Sequence, residues 1–486
     1  MGKIKPDILV ILTVSVCLNL CSQDHYNIEV SCKGGANLEV ILGHYLGSSI
    51  VPVDTTKLNN EGNGTFNGNE ALSGGLYFLY LGENKMIDII VDEDQDFKIG
   101  FDINIPDFKV EGSTDNELFF EYRKYMLEKG AEMGRLQDVK TRSESKAAKD
   151  SVDMAMQSLN KEVEGHITKM VEANKGTFFS TFVAAARDIK MPAAPVDVGG
   201  NLTDSLFYYH YYVQHYFDQF DLSDERLMRT PIYNQKVELY ISQVVFPKAD
   251  SLIKAVDFLI SKTENNEELF KNMLSSLMLY ALRNDGGEMD EVFVHLSEDY
   301  YIPKATWAEP AFMDLLKKKT GEKRRTLRGQ VAPDFEFLEV PTNHFLEAAI
   351  NDDLKKDTLI GIPIKISSID ADYTVLYFWE ADCGHCKEVT PVLYDRYLKS
   401  FKSKGVKVLS IQMLTGPEGK AKWIDFTNKH QLYDWINVWQ PNDFEYRTVY
   451  DLRYSPVIYL LDKDKKILAK NIAPEQVKEI IELNSK

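Results

Sequence analysis

The stretch YTVLYFWEADCGHC, residues 373–386, joins an apolar run to a Cys-x-x-Cys motif. Residues 373–378 are rich in β-branched and aromatic side chains, which predicts a strand buried on both faces of a sheet. A helix is predicted to begin at Cys383. Beyond it, strands predicted at 406–413 and 457–461 alternate with helices predicted at 420–430 and 474–483. This alternation predicts an α/β fold with a central sheet and helices on both faces.

The spacing of Cys383 and Cys386 suits thiol–disulfide exchange, which needs one exposed thiolate of low pKa and a second thiol within its reach. A cysteine at the start of a helix lies at the positive end of the helix dipole, which stabilises the thiolate. Cys383 is therefore predicted to be the nucleophile and Cys386 the resolving thiol. Gly384 and His385 lie between them, and a positive charge on His385 would favour the thiolate further.

A zinc site is the alternative interpretation of the motif, because half of many structural zinc sites has the same spacing. The C-terminal part of the sequence has no second cysteine pair, and His385 and His430 are the nearby nitrogen ligands. A four-ligand site would need scattered carboxylates as well. We therefore predict no metal, and no cofactor other than a redox-active Cys383–Cys386 disulfide.

This region resembles the thioredoxin superfamily. The apolar strand that ends at Trp379, the cysteine motif and Pro391 match the active-site strand, redox motif and first helix of that superfamily. Ser455-Pro456, ahead of the apolar residues 457–461, matches its cis-proline loop. The resemblance implies that Trp379 and Pro391 support the cysteine pair. It also implies that the bond before Pro456 is cis and that Ser455 and Pro456 line the groove for an extended substrate backbone.

The resemblance covers residues 327–486, where VAPDF at 331–335 is similar to the TlpA-like and peroxiredoxin-related branch. The whole arrangement resembles Gram-negative envelope proteins with a small β domain, a helical domain and a thioredoxin domain, the first two without an assigned activity. TlpA-like proteins are mostly reductases supplied by a membrane electron donor. The resemblance therefore implies that the protein reduces or isomerises disulfides in envelope proteins. Its implied partners are the thiols and disulfides of those proteins and a membrane electron donor.

Three positions depart from the superfamily, one of them Asp382, which replaces the tryptophan that often precedes the motif. Tyr377 stands where many thioredoxins have a buried acid, and Val389 stands where TlpA-like reductases have a glutamate. The proton acceptor for Cys386 is therefore open. Glu380 and Glu388 are candidates by proximity in sequence alone, and each is expected to be a solvated surface charge.

Two other functions compete with this one. A peroxiredoxin-like peroxidase has a similar fold, but Glu380 stands where such an enzyme needs a hydroxyl residue to polarise peroxide. A binding or scaffold protein with a vestigial redox domain is the non-enzymatic alternative. The presence of Trp379, Pro391 and Pro456 together with both thiols argues against it.

The first residues of the chain predict an export signal over residues 1–22. Lys3 and Lys5 precede an almost wholly apolar run at 8–20, which is too short to span a membrane. A lipid anchor at Cys21 is less favoured, because Leu20 stands where a lipoprotein site needs a small residue. We expect a mature chain without a transmembrane segment, located in the periplasm or cell envelope, where disulfides can form.

A small β domain is predicted over residues 24–110. Apolar residues recur with period two at 26–32 and 97–103, and glycine-rich turns lie between them. This pattern predicts an all-β, sandwich-like fold. Cys32 lies on the apolar face, where a cysteine is expected to be a small buried hydrophobe.

Helical patterns predict an all-α domain over residues 113–320, followed by the thioredoxin-like domain at 327–486. The tyrosine-rich stretch 207–220 is expected to pack against neighbouring helices rather than to bind a ligand. The basic run 317–325 is expected to be a solvated linker. The net charge of −18 argues against a nucleic-acid partner, which would need a basic surface.

Overall fold

The structure, a computed structural model, describes residues 25–47, 49–83, 85–284, 286–356 and 361–484. The chain forms two compact units, with the division between Tyr240 and Ile241. This division falls inside the segment that was predicted to form one helical domain. The predicted export signal, including Cys21, lies outside the described residues. None of the helices in the described ranges combines the length and the apolar character that crossing a membrane requires.

The first unit begins with two four-stranded sheets that share one core. Their strands are β1 Tyr26–Lys33, β2 Glu39–Leu46, β3 Ser49–Lys57, β4 Asn63–Gly68, β5 Gly75–Tyr80, β6 Met86–Val91, β7 Asp96–Asp102 and β8 Ile105–Glu111. One sheet has the order β4-β1-β7-β8 and the other β3-β2-β5-β6. Alternation along β1 places Ile28, Val30 and Cys32 in the same core as Leu42 and Leu79 from the facing sheet. The predicted sandwich-like fold is confirmed.

Helices complete the first unit: α1 Thr114–Arg142, α2 Lys146–Ala173, α3 Phe178–Ala185, α4 Phe207–His215, α5 Glu225–Met228 and α6 Pro231–Leu239. Asn116 in the first turn of α1 is fully buried and pairs with the backbone of Ile90 in β6. Its amide nitrogen donates to the Ile90 carbonyl at 2.6 Å, and its oxygen accepts from the Ile90 N–H at 2.8 Å. In α5, Arg226 binds Asp92 at 2.8 Å. Polar contacts therefore fasten α1 and α5 to the sandwich of this unit.

The tyrosine-rich stretch is divided between core and surface. Tyr216 and Phe220 are buried, and their rings lie 5.2 Å from Tyr240 and 5.5 Å from Tyr233. The predicted packing role is confirmed for this end of the stretch. On α4, three tyrosine side chains stay exposed, namely Tyr208, Tyr209 and Tyr212.

The second unit begins with helices that follow a π-helical turn at Tyr240–Val244: α7 Ala249–Ser261, α8 Glu267–Arg283, α9 Met289–His295, α10 Ile302–Lys304 and α11 Pro310–Arg324. A second π-helical turn, Leu296–Tyr301, separates α9 from α10. Buried apolar residues such as Leu259, Leu277 and Phe293 have less than 3% of their surface exposed. The central helical region that the sequence predicts is confirmed, although it is shared between the two units.

A seven-stranded mixed sheet follows, in the order β10-β9-β13-β12-β11-β14-β15. Its strands are β9 Glu336–Glu339, β10 Ile362–Lys365, β11 Tyr373–Trp379, β12 Val406–Gln412, β13 Ile436–Trp439, β14 Val457–Leu461 and β15 Ile467–Lys470. The helices are α12 Thr342–Ala348, α13 Asp352–Lys356, α14 Gly384–Arg396, α15 Gly416–His430, α16 Glu445–Val449 and α17 Pro474–Asn484. Along β11, Val375 and Tyr377 enter one core and Leu376 and Phe378 enter another. The predicted central sheet with helices on both faces is confirmed.

The basic run 317–325 is not a solvated linker, so that expectation was wrong. Most of it forms the end of α11, and Lys323 is only 5% exposed. The Lys323 ammonium binds Asp290 at 2.6 Å and Asp451 at 3.2 Å, and Lys470 also binds Asp290. A buried charge needs such partners, and these acids lie 33 and 128 residues away in sequence. Local sequence could not reveal them. The cluster joins the helices of the second unit to its sheet.

Candidate active site

The cysteine motif lies where β11 ends and α14 begins. Trp379 is the last residue of β11, and the following turn closes with the Cys383 N–H donating to the Glu380 carbonyl at 3.2 Å. Cys383 has an extended conformation and occupies the N-cap position, so that α14 begins at Gly384. This local structure places the Cys383 sulfur beside the unpaired N–H groups of the first helical turn.

The two thiols have opposite environments. Burial alone would raise the pKa of Cys383, but hydrogen bonds from Ser455, from the Cys386 N–H and thiol, and from the His385 N–H outweigh it and lower the pKa. Cys386 has no exposed surface, and this burial raises its pKa to about 12. At neutral pH Cys383 therefore carries more thiolate than an ordinary cysteine and Cys386 stays protonated.

The Ser455-Pro456 loop lies against the first cysteine. The bond between these residues is cis, as predicted. The Cys383 sulfur lies 3.5 Å from the Ser455 carbonyl oxygen. Both loop residues are half-buried, and the preceding Tyr454 is 56% exposed. The structure thus brings together the sequence-predicted thiol and the sequence-predicted loop, which are 72 residues apart.

Trp379 and Pro391 lie on the two elements that carry the motif. The Trp379 indole is fully buried, donates to Ser410 Oγ at 2.9 Å and stacks on Tyr377 at 5.9 Å. These contacts hold the end of β11 in place. Pro391 lies inside α14, where it cannot donate a backbone hydrogen bond.

His385 and Gly384 have less contact with the protein than the cysteines do. The His385 side chain is 68% exposed, and its Nδ1 lies 3.8 Å from Glu388 Oε2, itself on a side chain 83% exposed. The contact of His385 with Cys383 is made by its backbone N–H. A side chain at Gly384 would meet open space, so close packing does not require glycine here.

A chain of hydroxyl groups lies on the inner side of Cys386. The Tyr377 hydroxyl is 2.7 Å from Thr390 Oγ1, which in turn donates to the Cys386 carbonyl at 2.7 Å. Burial raises the pKa of Tyr377 well above its usual value. Sequence reasoning missed Thr390, although its position four residues after Cys386 places both on one face of the helix.

Glu380 and Glu388 differ in the structure. Glu388 is a surface charge, as expected. Glu380 is half-buried, so the same expectation was wrong for it. Its backbone N–H donates to the Cys386 sulfur, and its Oε2 is 3.5 Å from the Ser455 hydroxyl. Sequence reasoning could not find this contact, because Ser455 is 75 residues away.

Cys32 lies outside this site. It belongs to the core of the sandwich in the first unit, where burial and then Asp102 raise its pKa. Cys32, Cys383 and Cys386 are free cysteines in the structure. Over the ranges that the structure describes, no group of three or more His, Cys, Asp or Glu side chains is placed to hold a metal ion.

Three protein families match parts of the chain. Residues 26–119 match a domain of unknown function (DUF4369), and residues 145–310 match another domain of unknown function (DUF5106). Residues 370–467 match a family described as thioredoxin-like. This match and the sheet with helices on both faces identify a thioredoxin-like domain in the C-terminal part of the chain.

Individual proteins are also similar to parts of this chain. A thioredoxin-like protein of Haemophilus influenzae is 29% identical over 108 residues, which are 22% of this chain, and the chain spans 59% of that relative's length. The solved domain of a possible thiol-disulfide isomerase from Cytophaga hutchinsonii is 29% identical over 33% of this chain and 97% of its own, with a TM-score of 0.27. A thioredoxin-like protein from Bacteroides caccae is 19% identical over 61% of this chain and 99% of its own, with a TM-score of 0.42.

Proposed function

We propose that the thioredoxin-like domain is a thiol–disulfide oxidoreductase that acts on proteins through Cys383 and Cys386. The observation that carries the proposal is the contrast between the two thiols. Cys383 is accessible and has a lowered pKa, whereas Cys386 is buried and has a pKa raised to about 12. Thiol–disulfide exchange needs this division between an attacking thiolate and a thiol held in reserve.

The reaction has two balanced steps. The Cys383 thiolate attacks one sulfur of a substrate disulfide, forming a mixed disulfide and releasing the other substrate sulfur as a thiolate that takes up a proton. Cys386 then loses its proton and attacks the Cys383 sulfur, which breaks the mixed disulfide and frees the second substrate thiol. The substrate gains two electrons and the Cys383–Cys386 pair loses them, so no other cofactor is needed. The loop at Ser455-Pro456 would align the substrate backbone beside Cys383.

We further propose that the chain is exported and works in the periplasm or cell envelope. The apolar run at residues 8–20 after Lys3 and Lys5 supports export. Disulfides of envelope proteins are then the substrates, and the domain reduces or isomerises them. Continued reduction would require a donor that returns two electrons to the Cys383–Cys386 disulfide, and a membrane electron carrier is the donor class that fits this location.

Reduction of insulin disulfides and reactivation of scrambled ribonuclease test the proposal directly. We expect the purified protein to accelerate at least one of these reactions. If it accelerates neither but consumes peroxide, the domain is a peroxidase. If it does none of the three, the redox function is wrong and a binding role remains.

Equilibration with glutathione tests the direction of the reaction. A potential less negative than that of thioredoxin, about −270 mV, is expected from the Gly384-His385 pair between the cysteines. A potential more negative than about −270 mV contradicts this expectation, and one above about −150 mV indicates a dedicated oxidase instead.

A further inference from the structure

The resolving step requires a base, and the described residues on the inner side of Cys386 that contact it or its helix turn are hydroxyl groups rather than carboxylates. A thiol whose pKa is raised to about 12 must lose its proton before it attacks the mixed disulfide. The position of the buried acid in many thioredoxins holds Tyr377, whose pKa is raised by burial. The hydroxyl chain from Tyr377 through Thr390 ends on the Cys386 carbonyl oxygen and not on its sulfur. This chain therefore fixes the helix but does not receive the thiol proton.

The outer side of the cysteine pair has a different arrangement. The Ser455 hydroxyl acts on both thiols, since hydrogen bonding by its side chain lowers the pKa of Cys383 and opposes the rise that burial causes in Cys386. The same hydroxyl lies 3.5 Å from Glu380 Oε2. The Glu380 N–H also donates to Cys386, so that the backbone of this residue is fixed against the thiol that must be deprotonated. A carboxylate and the buried sulfur are thus connected through one hydroxyl group.

We propose that Glu380 is the positioning residue that takes up the Cys386 proton through the Ser455 hydroxyl. The inference rests on the proposed exchange function and adds the acid–base route to it. Glu380 does not touch the reacting sulfur with its carboxylate, because Ser455 lies between them. This sequence has Tyr377 and Val389 at the two positions where related proteins have an acid. Glu380, three residues before Cys383, therefore takes over the role of that acid.

Cys386 gives its proton to Ser455 Oγ while Ser455 gives its own proton to Glu380 Oε2, which leaves a thiolate on Cys386 and a neutral carboxyl group. The thiolate forms the bond to the Cys383 sulfur, and the bond from Cys383 to the substrate sulfur breaks. The departing substrate thiolate then receives the proton from Glu380, directly or through a water molecule, which restores the carboxylate.

Other charged groups near Glu380 are engaged elsewhere. Tyr446 of α16 faces Glu380, and its hydroxyl accepts from Arg447 Nε at 3.3 Å. Asp382 in the same turn as Glu380 binds Lys422 of α15 at 2.8 Å. Among the described residues, Tyr446 is a titratable group whose pKa the Glu380 carboxylate affects, and the two thiols lie on the other side of the Ser455 hydroxyl. Burial raises the pKa of Tyr446, which keeps it neutral through the pH range of the experiment below.

Stopped-flow reaction with 5,5′-dithiobis(2-nitrobenzoate) separates attack from resolution in the mature protein. The first thionitrobenzoate is released when Cys383 attacks, and the second when Cys386 resolves the mixed disulfide. We expect Glu380→Gln to slow the second phase by about 10²-fold at pH 7, the low end of what a positioned acid–base group contributes. The first phase should change less than about twofold, since the charge of Glu380 is not part of that step.

The pH profile of the second phase distinguishes proton transfer from a structural effect. In Glu380→Gln the rate should rise about tenfold per pH unit, because hydroxide must remove the proton, whereas the unmodified protein should show a shallower profile. Glu380→Asp should recover part of the rate, and Ser455→Ala should show the defect without adding to that of Glu380→Gln. The matched control is Glu388→Gln, an exposed glutamate in α14 that should leave both phases unchanged.

Each outcome has one meaning. If the unmodified protein shows two phases and Glu380→Gln leaves the second phase and its pH profile unchanged, this inference is wrong and the proposed function stands. If the unmodified protein shows no second phase, the proposed function itself fails. Unchanged circular dichroism and an unchanged first phase in Glu380→Gln exclude misfolding as the cause of a slow second phase.

Discussion

Cys32 and Cys383 are the same side chain in two different settings. Cys32 points into the sandwich core from β1 with no exposed surface, and burial raises its pKa. Cys383 lies at the open start of α14, where hydrogen bonds from N–H and hydroxyl groups outweigh burial and lower its pKa. The comparison shows that donors at a helix start and access to solvent, rather than the residue type, make a cysteine a nucleophile.

Cys386 lies between these two cases. It is as deeply buried as Cys32 and its pKa is likewise raised, yet its thiol donates to the sulfur of Cys383. A buried thiol in this position can act only after Cys383 has formed a mixed disulfide. The three cysteines thus predict three distinct chemical behaviours, which substitution can separate.

Replacing the nucleophile should have the largest effect. Cys383→Ser should reduce insulin-disulfide reduction to the uncatalysed background, because a serine hydroxyl is not ionised at neutral pH. Cys32→Ala should retain nearly full activity, since Cys32 only packs the sandwich core. If Cys383→Ser and Cys32→Ala lost the same fraction of activity, the difference in burial between Cys383 and Cys32 would not explain their roles.

Replacing the resolving thiol should trap the intermediate. Cys386→Ser should lose turnover but accumulate protein covalently linked to substrate through Cys383, visible on non-reducing gels and released by dithiothreitol. The reverse pattern, with Cys383→Ser accumulating a complex through Cys386, would exchange the two roles.

The pH dependence of alkylation should rank the three thiols in the reduced native protein. Cys383 should reach its half-maximal iodoacetamide rate below the ordinary cysteine pKa of about 8.5, because its pKa is lowered. Cys386 should react only as the pH approaches about 12, and Cys32 should react only on unfolding. Mass spectrometry of peptides after brief labelling at pH 7 measures this order. Labelling of Cys32 before Cys383 would contradict it.

The smallest effect should be on stability alone. Cys32→Ser places a hydroxyl in an apolar core and should lower the free energy of unfolding by about 1–3 kcal/mol, with little change in activity. Cys32→Ala is the control, because it removes the sulfur without adding a polar group. Urea denaturation measures the difference between the two variants. If the Cys32→Ser variant were more stable than the Cys32→Ala variant, the surroundings of residue 32 would be polar rather than apolar.

Local patterns in the sequence predicted the long strands and the centre of the site. The apolar run at β11, the cysteine motif and the proline at 456 carry their information within a few residues. The four-residue strands Glu336–Glu339 and Ile436–Trp439 were not predicted. Four residues are too few for an apolar period to distinguish a strand from a loop.

The sequence by itself determined that the chain has a β part, a helical part and an α/β part, because each period of apolar residues is repeated along its own segment. The cysteine motif and the proline at 456 indicated, by their resemblance to the thioredoxin superfamily, which α/β fold this is. The sequence also determined which thiol lies at the helix start. Only the tertiary structure decided that Lys323 is buried between Asp290 and Asp451, and that Glu380 reaches Ser455. A charge or a hydroxyl acquires its role from partners that the fold brings within a few ångströms, and these partners are 33 to 128 residues away along the chain.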